Sequence, residues 1–322
     1  MGAITAGLGL AVGLAFGYAS QRGRFCMLSA VYEIATGRSP DMMRAYLLAV
    51  LVQLLAVNAL VQLGYLQVEI LPFFGIATAL GGVLFGLGMV LGIGCAGAVL
   101  YRLGEGKLDY LLVLFGYAAG AWASSNWLVM PVRNLLHVEG QTLSVPEAVV
   151  LGRWPVIAAV ALCIGVWLLL GKARVHEGRW GWRLTGFAIG CIGVAAWVAS
   201  DMAGRPAGLG TVNGSRSLMQ FILRGDTSAL DWGLFLFLGI PLGSLIASRW
   251  QGSSPGRPLQ PYRVPQALGG GLLMGLGAAL VEGDNVLHGI AGVPLLAMSS
   301  VTFMLCAFGT SWLGVKLGWL GK

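Results

Sequence analysis

Gly81-Gly82-Val83-Leu84-Phe85-Gly86-Leu87-Gly88-Met89-Val90-Leu91-Gly92-Ile93-Gly94-Cys95 returns 189 positions later as Gly270-Gly271-Leu272-Leu273-Met274-Gly275-Leu276-Gly277-Ala278-Ala279-Leu280-Val281-Glu282-Gly283-Asp284. Both copies run apolar through paired glycines to Gly94 or Gly283. Each then places a reactive or ionisable side chain, Cys95 or Asp284, where a new helix can start. A break inside an apolar helix frees backbone N–H and C=O groups that hydrocarbon cannot satisfy, so it survives only inside protein or beside a water-lined cavity. Two such breaks in register mark a duplicated membrane protein whose interruptions serve a purpose.

Working outward, composition agrees. Hydrophobic residues make up 57% of the chain and charged residues 10%, against about 25% charged in soluble domains. About 20 apolar residues cross the hydrocarbon as a helix. Nine spans are expected, some short, near residues 4–18, 43–63, 73–91, 108–130, 156–170, 184–200, 232–247, 268–281 and 301–317. The first lacks a basic start and a small-residue cleavage site, so it reads as a retained helix rather than a signal peptide.

The net charge of +7 is explained by placement. With nine spans, one set of loops holds 15 of the 20 Lys and Arg, and only Arg133, Arg153, Arg205, Arg216 and Arg224 fall on the other side. The positive-inside rule makes the first set cytoplasmic, with the N-terminus outside and the C-terminus inside. No nucleic-acid partner is needed to account for these cations.

The repeat begins before Gly81. Ala19-Ser20 and Gly23-Arg24 are echoed by Ala199-Ser200 and Gly204-Arg205. Four spans in each half return the chain to its starting side, and the unpaired span at 156–170 turns the second half over. The halves are therefore inverted: 1–130 forms the first repeat, 131–183 an outer loop, linking helix and cytoplasmic loop, and 184–322 the second repeat. Solute sites in such proteins lie near the midplane, on interrupted helices. Four stretches are apolar enough for immersion yet too short to cross, at 26–36, 96–103, 209–223 and 286–296, and these are expected to be re-entrant half-helices. The run at 252–258 reads as a flexible cytoplasmic loop, and no function is assigned to the polar stretch at 131–155.

Five cysteines in a mostly immersed chain argue against a disulfide scaffold. Cys163, Cys191 and Cys306 fall in regular apolar spans, where Cys serves as a small hydrophobe. Cys26 and Cys95 instead open presumed half-helices. The start of a half-helix presents unsatisfied N–H groups and the positive end of its dipole. Two thiols there would offer weak donors to a polarizable anion without trapping it. Asp284, with Glu282, Asn285 and His288, is the other candidate site, because intramembrane ionisable groups are costly and usually functional. Gly94 and Gly283 are assigned to the breaks. Arg24 and its neighbour Arg22 are placed to draw anions, although positive-inside anchoring accounts for them as well.

Gly17-Tyr18-Ala19-Ser20-Gln21-Arg22-Gly23-Arg24-Phe25-Cys26, Gly92-Ile93-Gly94-Cys95-Ala96-Gly97 and Gly289-Ile290-Ala291-Gly292-Val293-Pro294-Leu295 together resemble the YeeE/YedE family of bacterial sulfur-compound transporters. The resemblance implies an hourglass-shaped, pseudo-symmetric inner-membrane protein that takes up thiosulfate and passes it along central cysteines by S–H hydrogen bonds. It places those cysteines at Cys26, at Cys95 and at the position held here by Asp284. A carboxylate ~5 Å from a dianion repels it by several kcal/mol at an effective dielectric of ~20, so this departure bears on the cargo.

The expected fold is thus an all-α polytopic membrane protein, with about nine transmembrane helices and four half-helices. The expected activity is transport of a small sulfur-containing oxyanion. Cys26, Cys95, Asp284, Arg24, Gly94, Gly283, Asn285 and His288 form its substrate site. Lipid surrounds the protein, and a cytoplasmic sulfur-carrier protein is a candidate partner. Two rivals remain: a soft-metal transporter using the same Cys, Asp and His ligands, and a non-transporting scaffold for a sulfur-carrier or redox protein. With no haem-ligand His pair, Gly-Lys phosphate loop or Ser-His-Asp pattern, neither a cofactor nor an enzymatic role is expected.

Overall fold

A computed structural model describes residues 3–123, 131, 153–172, 178–252 and 263–319. Twelve α-helices occur among the described residues: α1 (Ala3–Gly23), α2 (Met27–Ala35), α3 (Asp41–Gln62), α4 (Ile76–Leu91), α5 (Ala96–Gly104), α6 (Asp109–Ala123), α7 (Arg153–Leu169), α8 (Trp182–Met202), α9 (Val212–Arg224), α10 (Trp232–Trp250), α11 (Val264–Leu280) and α12 (Met298–Lys316). A π-helical turn, Leu287–Gly292, continuing into a 3-10 turn, Val293–Leu295, completes the helical structure before α12. Every expected span falls on a helix, and so does every expected half-helix. The end of the fourth span, and most of 131–155 and of 252–258, lie outside the described residues.

Six helical stretches are long and apolar enough to cross a membrane, and two of these run through a break: Ile4–Ala35 joins α1 to α2, and Ile76–Gly104 joins α4 to α5. α7 and α11 are apolar but shorter. The chain is an all-α polytopic membrane protein.

Packing partners recur under one exchange, with α1–α6 set in order against α8, α9, α10, α11, the 287–295 segment and α12. α1 packs on α10 as α8 packs on α3, and α4 packs on α12 as α11 packs on α6. α9 meets α6 as α2 meets α12, and α5 meets α10 as 287–295 meets α3. α4 and α11 touch each other, as do α1 and α8.

The duplicated glycine stretch makes these crossings possible. A Cβ on Gly81 would lie 2.9 Å from the Gly277 carbonyl oxygen of α11, while one on Gly82 would lie 2.6 Å from the Phe303 carbonyl oxygen of α12. Adjacent glycines thus serve two different neighbours, because successive helix positions point about 100° apart. Such small-residue contacts bring transmembrane backbones close where lipid supplies no hydrophobic drive.

The four helices that lead into the breaks end in one motif. Six-to-one hydrogen bonds run from Phe25 N–H to Ser20 O (2.9 Å), Gly94 N–H to Met89 O (3.1 Å), Arg205 N–H to Ser200 O (2.9 Å) and Gly283 N–H to Ala278 O (2.9 Å). This closure puts the residue before each donor in the left-handed region. Those residues are Arg24 (φ 54°), Ile93 (φ 53°), Gly204 (φ 70°) and Glu282 (φ 60°). Gly94 and Gly283 lie within the breaks, each one residue after the left-handed position, and donate the closing bonds.

Candidate functional site

Cys26 and Cys95 sit two residues beyond their left-handed positions, as extended N-caps of α2 and α5. Both are buried, 1% and 3% exposed. The thiols are neighbours, and each lies near both helix starts. Cys26 is near the Ser29 and Cys95 N–H groups, and Cys95 is near those of Ala98 and Met27. Neither thiol makes a regular capping bond to its own helix. The result is a buried cluster of backbone donors and two cysteine side chains at two positive helix ends, each equivalent to about half a charge.

Arg102 adds a cation near Cys26. Its Nη1 donates to the Ile93 carbonyl and, at 2.7 Å, to the Tyr110 hydroxyl, so it also pins the break. Arg102 passed in the sequence as one more residue of a basic loop. Its place on α5, seven residues after Cys95, was the available signal.

The second pair of helix starts is built differently. Asp284, fully buried, does not reach solvent. Its Oδ1 accepts from the N–H groups of Val286 (2.8 Å) and Leu287 (2.9 Å). Its Oδ2 accepts from the Thr211 N–H (2.7 Å), the Thr211 hydroxyl (2.5 Å) and the Tyr117 hydroxyl (3.0 Å). The carboxylate thus joins the start of α9 to the start of the 285–295 helical segment, with α6 contributing Tyr117. Sequence reasoning missed Thr211, although a Thr directly before a helical run is an N-cap signal, and it missed Tyr117, which carried none.

Asn285 ties the two pairs together. Its Oδ1 accepts from the Ala96 N–H at the start of α5 (3.2 Å), and its carbonyl accepts from the Tyr46 hydroxyl (3.2 Å). His288 is buried behind the loop, with Nδ1 3.0 Å from Ser300 Oγ and its ring stacked 4.5 Å from that of Phe303. Arg24 is bound in a 2.7 Å ion pair with Glu105, which also holds Lys107 at 2.7 Å. That latch joins the ends of α1 and α5. Cys163 and Cys191 are exposed on α7 and α8 rather than packed, and Cys306 is partly buried.

Two cavities approach these helix starts. One of about 630 Å³ is lined by Arg24, Ser29, Glu33, Ile93 and Arg102, beside the thiols. Another of about 340 Å³ is lined by Glu69, Arg216, Glu282 and Leu287, beside the Asp284 loop. Among the described residues no three of His, Cys, Asp and Glu converge as a metal site. With its oxygens taken by five donors, Asp284 has no lone pair aimed at a cation shared with the thiols.

A polytopic α-helical membrane protein with two pairs of half-helix starts meeting in its core is a transporter architecture. The chain belongs to the sulphur transport family, whose model matches residues 22–313. It is 32% identical to the thiosulfate transporter TsuA of Escherichia coli (strain K12), over 95% of this chain and 93% of that one. It is 30% identical to TsuA of Spirochaeta thermophila, over 95% and 98% of the two chains. A shorter match, 34% identical over 36% of this chain, is to the probable transporter YedE of Escherichia coli (strain K12).

Proposed function

We propose that this protein carries a small sulfur-containing oxyanion, thiosulfate first among them, inward across the bacterial inner membrane. The observation that carries the reading is the thiol pair Cys26–Cys95 at the starts of α2 and α5. There, backbone N–H donors and two S–H groups face one buried point, and the positive helix ends favour an anion. A neutral thiol donates weakly, so the anion is held and released. The relatives named for thiosulfate transport support the choice of cargo.

The halves act as inverted repeats related by a pseudo-two-fold axis, a reading supported by the exchange of packing partners. The N-terminus lies outside and the C-terminus inside, as the basic loops indicate. The larger cavity, with Arg24 and Arg102, then opens to the cytoplasm, where a soluble sulfur-carrier protein could collect the cargo.

Uptake of labelled thiosulfate into liposomes holding the purified protein tests this. Wild type fills the liposomes, and Cys95→Ala lowers the initial rate at least ten-fold while the protein elutes and melts as a folded species. Wild-type rates in the double variant Cys26→Ala, Cys95→Ala would remove the thiols from the mechanism. Liposomes that move nothing with the wild-type protein would favour the scaffold reading.

A further inference from the structure

The two junctions are alike in backbone and unlike in occupancy. At Cys26–Cys95 the first-turn amides face thiols that make no regular cap. At Asp284 both carboxylate oxygens are saturated, by three backbone N–H groups and the hydroxyls of Thr211 and Tyr117. Five donors around one small planar anion, drawn from three separate helical segments and shut off from solvent, are the surroundings of a bound oxyanion. An ordinary helix cap serves one helix; this carboxylate serves two and takes a hydroxyl from a third.

The geometry points to Asp284 as a tethered anion: its carboxylate permanently fills the second of two equivalent anion seats, leaving the thiol pair as the single seat for external anion. This rests on the reading of the thiol junction as the substrate seat. The consequence is a limit on occupancy and a charge filter. A second external anion is excluded at Asp284, and this position holds a carboxylate where the thiol junction holds two cysteines. Removing the side chain leaves the donors in place around a carboxylate-sized space, so the seat accepts a free anion.

Formate, a carboxylate small enough for that space, is the probe. Purified Asp284→Ala protein is melted in sodium formate and in sodium chloride of equal ionic strength, beside wild type. The variant melts below wild type in chloride, and formate raises its midpoint by several degrees with saturation, a rise the wild type does not match. Equilibrium dialysis with labelled formate gives one more bound anion per variant chain than per wild-type chain. A formate effect in the variant no larger than in wild type, or equal formate binding by the two proteins, overturns the inference. Asp284→Ser, which keeps a small polar group, provides the same comparison if the alanine variant does not fold. Wild-type uptake is a separate readout, so a failure of the seat proposal leaves the transport reading standing, and the reverse.

Discussion

Cys26–Cys95 and Thr211–Asp284 solve the same backbone problem with opposite chemistry. At both junctions a helix closes with a six-to-one bond, turns, and lets a new helix start in the core. The first junction meets the new N–H groups with two soft thiol side chains, and the second meets them with a carboxylate that accepts five hydrogen bonds. A neutral cap leaves the electrostatic demand of a helix end unmet, and an ionised one meets it permanently. On the proposed reading, exchangeable binding belongs at the thiols and fixed structure at Asp284, even though the carboxylate is the stronger ligand on paper. Asn285 joins the two, since it lies next to Asp284 in the chain yet caps α5 of the other junction.

Moving the second chemistry into the first junction should have the largest effect. Cys95→Asp would let a carboxylate accept from the Ala98 and Met27 N–H groups now beside the thiol. At ~5 Å and an effective dielectric of ~20, two unit charges repel by about 3 kcal/mol, so thiosulfate uptake should fall about a hundred-fold. Thermal unfolding should hold or rise, because the helix ends gain an anion. Near-normal uptake by a folded Cys95→Asp protein would break the contrast, since it would mean that a filled junction still conducts.

The periodic parts of the molecule were legible and the convergent parts were not. The glycine repeat and its apolar frame located the helices and all four short ones, because burial period and small-residue spacing are local. Cys26 and Cys95 were legible as a pair for the same reason, each following a repeat of one motif. Asp284 was found, but its role was hidden: Thr211 is 73 residues from it and Tyr117 is 167 away, and no local pattern announces a partner at that separation. The breaks at Gly94 and Gly283 were legible, but the residues that turn the chain were not, because glycine is the usual left-handed residue and here Ile93 and Glu282 take that conformation instead.

The glycines after those residues offer a smaller test of how tightly each junction is held. A Cβ on Gly283 would lie 2.7 Å from His288 Nε2, and the imidazole is fixed between Ser300 and Phe303. Overpacking of this kind costs about 1–3 kcal/mol. A Cβ on Gly94 would meet nothing nearer than the Arg102 Nη1 at 3.5 Å, an ordinary contact. Gly283→Ala should therefore lower stability by about 2 kcal/mol, while Gly94→Ala stays within about 0.5 kcal/mol of wild type. Denaturation of the two variants side by side measures the difference, and equal losses would mean that the filled junction is no more rigid than the open one.

Ile93→Gly should have the smallest effect, and in the favourable direction. A β-branched residue at φ 53° is strained, at a cost of about 1–2 kcal/mol relative to glycine, and glycine returns part of that through the larger freedom of its unfolded chain. The carbonyl that Arg102 and Tyr110 hold at this residue is unchanged by the substitution. A net gain of about 0.5 kcal/mol with unaltered uptake is expected from paired unfolding and transport measurements. Lower stability would show that packing by the half-buried isoleucine outweighs its backbone strain. A gain in stability accompanied by slower uptake would show that the strained turn itself is used when the anion passes, which would separate the working junction from its filled counterpart in motion as well as in charge.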